Sequence, residues 1–152
     1  MVEIVEFEKR YNNAINDFII SIYVEEFGFE NHRCIIENED NEIYINRGGN
    51  LWLAIDNNEI VGTIAVYKYN DEYMELKKLY VKEEYRGKGL SKELYNKVIE
   101  FCLKEKYKKV FLGTYEKMSS AINFYLKNGF KELEYAKKND GAKFFELNIQ
   151  EV

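Results

Sequence analysis

The chain has 152 residues, of which 46% are hydrophobic, 16% aromatic and 32% charged, a balance typical of a single folded domain spanning residues 1–152. Its formal net charge of −5 argues against a nucleic-acid partner, because binding to a phosphate backbone needs a concentrated basic surface. Two cysteines and one histidine cannot supply a disulfide framework or a Cys/His zinc site, so no metal is expected.

The N-terminal segment, residues 1–6, does not have the pattern of an export signal. It carries acids where a signal peptide has a basic start followed by an apolar run. Elsewhere in the sequence, no apolar stretch is long enough to span a bilayer. A cytoplasmic location and the absence of a membrane partner are therefore expected.

The first third of the chain predicts one strand and one long helix. Residues 2–7 alternate in the manner of a short strand, and residues 11–27 follow a helical period. The apolar face of that helix consists of Ile15, Phe18, Ile19, Ile22 and Tyr23. Residues 30–47 show no clear period and predict only a short helix or a loop.

The middle of the chain predicts three antiparallel strands. Residues 51–55 and 60–66 are rich in β-formers and flank an Asp-Asn-Asn-Glu turn, as expected of a hairpin. A turn at Asn70-Asp71 leads to a third strand at 73–81, whose apolar positions Met74, Leu76 and Tyr80 are expected to alternate.

The remaining elements predict a βαβ unit followed by a helix and two strands. A helix from Leu90 to Tyr107 and a strand at 109–112 follow a glycine-rich loop. The next helix carries an apolar stripe and ends near Gly129, a plausible C-terminal cap. The stripe consists of Met118, Ala121, Ile122, Tyr125 and Leu126. Strands at about 130–137 and 143–149 surround an Asn139-Asp140-Gly141 turn.

The glycine-rich loop, residues 86–91, predicts an anion site. Gly87 and Gly89 let the backbone turn sharply without a Cβ, so that successive N–H groups can converge on phosphate oxygens. The following helix adds its free N-terminal donors and the positive end of its dipole. Arg86 and Lys88 supply full charges at the rim. A glycine pair alone is also compatible with a solvated surface turn, so the motif depends on its context.

That context resembles the GNAT acetyltransferase superfamily, whose pyrophosphate motif is Arg/Gln-x-x-Gly-x-Gly/Ala after a strand that often ends in Leu-Tyr-Val. Arg86, Gly89 and Ser91 fall on this motif, with Ser91 in place of the usual Gly or Ala. A second signature of the superfamily matches Ala121, Phe124-Tyr125 and Gly129-Phe130. The resemblance covers nearly the whole chain. It implies an α/β (α+β) fold with a mixed, mostly antiparallel six- to seven-stranded sheet flanked by about four helices.

The resemblance also implies acetyl-CoA as the acyl donor. Hydrogen bonds from the backbone of residues 79–81 to the pantetheine arm are implied, with the Val81 N–H near the thioester carbonyl, where a donor would stabilise an oxyanion. The implied cofactor-binding residues are Leu79, Tyr80, Val81, Arg86, Gly87, Lys88, Gly89, Leu90, Ser91, Lys92 and Ser119.

Two catalytic residues are implied in the same way. Tyr125 stands where relatives often place the tyrosine that protonates the departing thiolate, although an aromatic core residue would give the same pattern. Glu75, six residues before Val81 and expected on the same strand face, is the candidate base, with a solvated carboxylate as the alternative. Met118 and Gly113 stand where many relatives have polar residues. Ser119 or Thr114 could supply the missing polar contacts to the pantetheine or the substrate.

The expected function is direct acetyl transfer to a primary amine of a small molecule or peptide, with a non-catalytic acyl-CoA-binding module as the alternative. Seven acids lie between Glu25 and Glu42 against one fixed cation, Arg33, which would favour a cationic acceptor if they bordered its site. Such runs also commonly face solvent. The aromatic C-terminal hairpin, with Tyr135, Phe144 and Phe145, suggests a possible homodimer.

Overall fold

Seven strands form one sheet in the computed structural model, which describes residues 1–134 and 141–149. The strands are β1 (Glu3–Glu6), β2 (Asn50–Asp56), β3 (Glu59–Lys68), β4 (Tyr73–Val81), β5 (Lys109–Tyr115), β6 (Lys131–Leu133) and β7 (Ala142–Asn148). Their order across the sheet is β1-β2-β3-β4-β5-β7-β6, and only β4 and β5 run parallel. The expected mixed, mostly antiparallel sheet is confirmed.

In the described part of the chain, five α-helices cover the two faces of the sheet. They are α1 (Asn12–Ile19), α2 (Arg33–Glu37), α3 (Ile43–Asn46), α4 (Leu90–Lys104) and α5 (Ser119–Lys127). The helix expected at 11–27 is present, but its second half, Ile20–Glu26, winds as a π-helix. The segment without a clear period, 30–47, contains α2 and α3. None of the helices in residues 1–134 and 141–149 is both long enough and apolar enough to cross a bilayer.

The core lies in two layers, one on each face of the sheet. Leu94 and Val98 of α4 pack against one face, together with Met74 and Leu76 of β4. The α1 layer packs against the other face. Leu126, expected in the apolar stripe of α5, is 49% exposed because it points away from this core.

Two of the three aromatic residues expected at a dimer interface of the C-terminal hairpin are among the described residues, and one of these two is unavailable. Phe145 of β7 is fully buried in the core and so cannot pair across an interface, while Phe144 stacks on Phe111 of β5 with ring centroids 6.1 Å apart. Tyr135 and the Asn139-Asp140 part of the expected turn lie outside the described residues. A homodimer stays a prediction without this support.

A β-bulge in β4 reverses which side chains face which layer. The pairing of β3 with β4 shifts between Thr63 and Ala65, opposite Lys78, which has a φ of +63°. Met74 and Leu76 lie in the α4 layer before the bulge, whereas Tyr80 packs against the α1 layer after it. The simple alternation expected for residues 73–81 is therefore wrong, because the extra residue changes the parity of the strand.

Gly49, just before β2, should tolerate no side chain. A Cβ built there would lie 1.7 Å from the main-chain oxygen of Val66, so the backbone of β3 would have to move. We expect Gly49→Ala to lower the free energy of unfolding by about 3 kcal/mol or more. The neighbouring Gly48→Ala meets only an ordinary contact and should cost about 1–2 kcal/mol for its φ of +78°. Denaturant unfolding of both variants checks this; equal losses would contradict it.

Candidate functional site

The strands β4 and β5 diverge, and their separation opens the sheet beside the glycine-rich loop. They pair only where Tyr73–Glu75 meet Lys109–Phe111, although β4 continues to Val81 and β5 to Tyr115. On the β5 side, the main chain of residues 76–81 therefore has no strand partner among the described residues. An extended polar ligand could bond this free edge as an added strand would.

A cavity of about 810 Å³ lies at this opening. Its lining carries three cations and no carboxylate, which suits a large anionic ligand with apolar parts. The lining residues are Ile22, Phe27, Leu79, Tyr80, Val81, Arg86, Gly87, Gly89, Ser91, Lys92, Met118, Ser120, Ala121, Phe124, Lys127 and Asn128.

The glycines of the loop have the conformation that a close-approaching ligand requires. Gly87 has a φ of +74° and Gly89 a φ of +87°, values that residues other than glycine rarely adopt. Where a Cβ would stand at either position, no atom of the described residues lies within 4 Å. The space above both glycines therefore remains accessible to a ligand in the cavity.

Six consecutive main-chain N–H groups, from Gly87 to Lys92, form no hydrogen bond of ordinary geometry with any described residue. The last three belong to the first turn of α4, a helix of 15 residues, where N–H groups have no partner within the helix. The positive end of the helix dipole adds to their field. This group, which we call the amide cradle (residues 87–92), is therefore an anion-binding arrangement.

Arg86 is held at the edge of the amide cradle by two partners. Its Nε donates to the Val81 carbonyl at 2.8 Å, and its two terminal nitrogens donate to the Glu26 carboxylate at 2.5 and 2.7 Å. The hydrogen bonds that Arg86 donates to Glu26 raise the pKa of Arg86. An anion in the cradle would compete with Glu26 for this guanidinium.

Most of the implied cofactor-binding residues line the same large cavity. Among them, only Lys88, Leu90 and Ser119 do not line the cavity. Lys88 and Ser119 are exposed, and Leu90 is buried in the core, where it anchors the start of α4. Ser120 takes the place expected of Ser119, because adjacent residues in the first turn of a helix point about 100° apart.

Tyr125 lies behind the cavity wall rather than in it. Its ring packs on Phe130 and Phe145, and its helix neighbours Ala121 and Phe124 line the cavity. The phenol has no hydrogen-bond partner among residues 1–134 and 141–149, yet its oxygen is not fully enclosed. Burial raises the pKa of Tyr125, so the hydroxyl keeps its proton at neutral pH.

Glu75 does not share a strand face with Val81, because the bulge at Lys78 lies between them. Val81 packs into the α4 layer, whereas the Glu75 carboxylate accepts a hydrogen bond from the Tyr67 hydroxyl at 2.7 Å, in the α1 layer. Lys77 lies 3.7 Å from its other oxygen. Glu75 therefore does not line the large cavity, and the same-face expectation is wrong.

The acidic segment, residues 25–42, carries less free negative charge than its sequence suggests. Four of its carboxylates are in ion pairs: Glu26 with Arg86, Glu30 with Arg33, Glu39 with Lys78 and Glu42 with Lys9. Asp40 accepts the Glu42 N–H. Neutralised in this way, the segment gives little support to a cationic acceptor. No three His, Cys, Asp or Glu side chains of the described chain are grouped to hold a metal.

Several lining residues were not predicted from the sequence. Ile22 and Phe27 belong to the N-terminal helical segment, where an apolar period indicates only core packing. Lys127 and Asn128 lie at the end of α5, and Asn128 accepts a hydrogen bond from Lys92 of α4. A lysine in the last turn of a helix is usually explained by its favourable interaction with the helix dipole. Nothing in the sequence therefore indicated that Lys127 lines a cavity.

Comparison with known proteins gives three kinds of similarity. Residues 14–130 match the model of the acetyltransferase (GNAT) family. A GNAT-family acetyltransferase structure from Staphylococcus aureus is 34% identical, with a TM-score of 0.86 over 98% of this chain and 99% of that one.

Two further proteins extend the comparison. A Thermoplasma acidophilum N-acetyltransferase solved with coenzyme A shares the fold, at 20% identity and a TM-score of 0.75 over 97% of this chain and 99% of that one. The N-acetylaspartate synthetase of Xenopus tropicalis is 32% identical over 109 residues, 68% of this chain. The chain spans only 40% of that relative's length.

Proposed function

The chain belongs to the acetyltransferase (GNAT) family, and on that premise we propose that it transfers the acetyl group of acetyl-CoA to a primary amine. The observation that carries the proposal is the amide cradle at the mouth of a cavity lined by cations and no carboxylate. A diphosphate is the part of coenzyme A that such an arrangement fits. The coenzyme A complex of the Thermoplasma protein, which has the same fold, supports this proposal.

Different residues of this chain bind the cofactor and take part in the reaction. The amide cradle and Arg86 hold the diphosphate, and the free edge of β4 at residues 76–81 bonds the extended pantetheine arm. The amine attacks the thioester carbon, forming a C–N bond while the C–S bond breaks and the thiolate leaves. Tyr125, whose raised pKa keeps its phenol protonated, gives that thiolate its proton, and the proton that the nitrogen loses as the amide forms returns through water to the phenol.

Transfer is direct, with no acyl-enzyme. Burial raises the pKa of Cys102 to about 12, so its thiol is a poor nucleophile, and Cys34 lies exposed on α2, outside the cavity lining. The amine must be neutral to attack. The Glu75 carboxylate lies outside the cavity lining. It could therefore accept the proton of the ammonium form only through a bridging water molecule or through a polar group of the bound acceptor.

A second candidate is a non-catalytic acyl-CoA-binding module. The observation that favours it is the position of Tyr125 behind the cavity wall instead of in it. The two candidates make the same prediction for binding and different predictions for turnover.

Two measurements test the proposal. Coenzyme A at 100 times its Kd should stabilise the protein by about 2.7 kcal/mol, seen as a rise in melting temperature. Release of free thiol from acetyl-CoA should then depend on an added amine. Stabilisation by coenzyme A without amine-dependent thiol release would favour the non-catalytic binding module. Absence of both effects would overturn the proposed function. The expected cytoplasmic location stays a prediction.

Removing the Glu26 carboxylate should strengthen cofactor binding. Glu26→Gln frees Arg86 for phosphate, and because both side chains are about one-third exposed, the pair is worth only about 0.2–1 kcal/mol. We expect the Kd for coenzyme A, measured by calorimetry, to fall by up to about fivefold. Glu25→Gln makes the same charge change on an exposed neighbour and should leave the Kd unchanged. Weaker binding in Glu26→Gln would mean that Glu26 orients Arg86 for phosphate instead of competing for it.

A further inference from the structure

A second cavity of about 180 Å³ lies against the α1 face of the sheet, and the reaction proposed above leaves it unused. It is lined by Glu39, Ile43, Tyr44, Arg47, Tyr67 and Lys77. At about 30 Å³ for each water molecule, it has room for roughly six waters, which suits one end of a small polar molecule.

The charges around the second cavity leave one cation without a carboxylate partner. The Glu39 carboxylate accepts from Lys78 at 2.7 Å and from the Tyr44 hydroxyl at 3.2 Å. Glu75 is shared between Tyr67 and Lys77. Arg47 lies with its guanidinium carbon 4.2 Å from the centroid of the Tyr67 ring and forms no ion pair with a carboxylate of the described residues.

The chemistry of this pocket is that of a carboxylate site. A guanidinium held over an aromatic ring keeps its fork of donors ordered, and a carboxylate can take two of them at once. Lys77, whose side chain is 44% exposed at the rim, is already paired with Glu75 at 3.7 Å, so Arg47 is the main source of positive charge for a ligand. The two tyrosine rings of the floor, Tyr44 and Tyr67, stand edge to face with centroids 5.8 Å apart.

The second cavity lies next to the large one along β4. Lys78, which pairs with Glu39 on its wall, is two residues before Tyr80, which lines the large cavity. The Glu39 carboxylate, which lines the second cavity, accepts from Lys78 and so lies close to the part of β4 that leads to Tyr80. Tyr80 is three positions after Lys77 along β4, a distance of at most about 10 Å.

From this arrangement we propose that the acceptor is a small primary amine that also bears a carboxylate, with Arg47 binding the carboxylate in the second cavity while the amine reaches the large one. The proposal rests on the proposed function and names its substrate class. We expect the carboxylate and the reacting nitrogen to stand several bonds apart, because Lys77 lines one cavity and Tyr80, three positions further along β4, lines the other.

A homologous series tests the proposal. The protein is assayed for thiol release from acetyl-CoA with ω-amino acids from glycine to 8-aminooctanoate, and with n-alkylamines of the same lengths. We expect kcat/KM to rise with chain length among the amino acids and to exceed that of the matching alkylamine by about tenfold or more, as one charge-assisted contact provides.

Variants identify the residue responsible. Arg47→Met should raise the KM of the best amino acid about tenfold or more and leave the KM of its alkylamine unchanged, while Arg47→Lys should keep part of the preference. Arg33→Met, which removes a half-buried arginine whose ion pair within the described residues is with Glu30, should change neither. A rise in melting temperature with coenzyme A shows that each variant is folded.

The possible results separate the two proposals. Alkylamines that react as well as amino acids, or an Arg47→Met variant that raises both KM values equally, would overturn the acceptor class alone. Absence of thiol release with every amine would overturn the proposed function and this inference with it.

Discussion

Gly89→Ala is expected to weaken coenzyme A binding about 10- to 100-fold while leaving the protein folded. Gly89 caps α4 with a φ of +87°, and its missing Cβ faces open space on the cavity side of the amide cradle. A methyl group there keeps phosphate oxygens away from the N–H groups, and each charge-assisted hydrogen bond lost costs about 1.5–3 kcal/mol. Calorimetric titration with coenzyme A measures the effect.

Gly141→Ala is the matched control for this variant. Gly141 has a φ of +81° and, like Gly89, no atom of the described residues within 4 Å of a built Cβ, but it does not line the cavity. Both variants should lose about 1–2 kcal/mol of stability from the left-handed backbone. Only Gly89→Ala should lose affinity. Equal affinities in the two variants would place the diphosphate elsewhere.

Tyr125→Phe is expected to lower kcat about 100-fold or more, the usual contribution of a general acid. The phenol has no other partner among the described residues, so removing it leaves no buried group unsatisfied and should not weaken cofactor binding. Because burial raises the pKa of Tyr125, loss of its proton should not limit the rate at any pH below about 10. Steady-state kinetics across the pH range, with the Kd for coenzyme A alongside, measure both effects.

Tyr95→Phe is the control that distinguishes a role of the Tyr125 hydroxyl in the reaction from a general effect of removing a buried hydroxyl. Tyr95 of α4 is also a buried tyrosine, and its fully enclosed hydroxyl has no hydrogen-bond partner within residues 1–134 and 141–149. Burial raises the pKa of Tyr95 to about 12. Removing that hydroxyl should leave kcat unchanged and the protein at least as stable. A similar fall in kcat in both variants, or no fall in Tyr125→Phe, would remove Tyr125 from the reaction.

The sequence predicted those parts of the site that depend on neighbouring residues. The loop, the helix after it and the order of the strands follow from local spacing and from glycine, which alone adopts the required φ freely. The hairpin turn between β2 and β3 is of the same kind, since Asn57 and Asn58 both adopt positive φ. Such features need no knowledge of distant contacts.

The features that were missed or wrongly expected depend on distant contacts or on a single unusual residue. The bulge at Lys78 reverses the faces of β4, yet lysine gives no sign that it will take a φ of +63°. The pairing of Arg86 with Glu26 joins residues 60 positions apart, and that of Lys78 with Glu39 joins residues 39 apart. The second cavity is built largely from residues 39–47, which show no period in the sequence.

The most direct test of the account is an amide NMR titration of the protein with coenzyme A. The account predicts that the N–H resonances of residues 87–92 shift together as the ligand saturates, and that Gly141 does not shift with them. Saturation with coenzyme A that leaves the resonances of residues 87–92 in place would contradict the central claim that these amides bind the diphosphate.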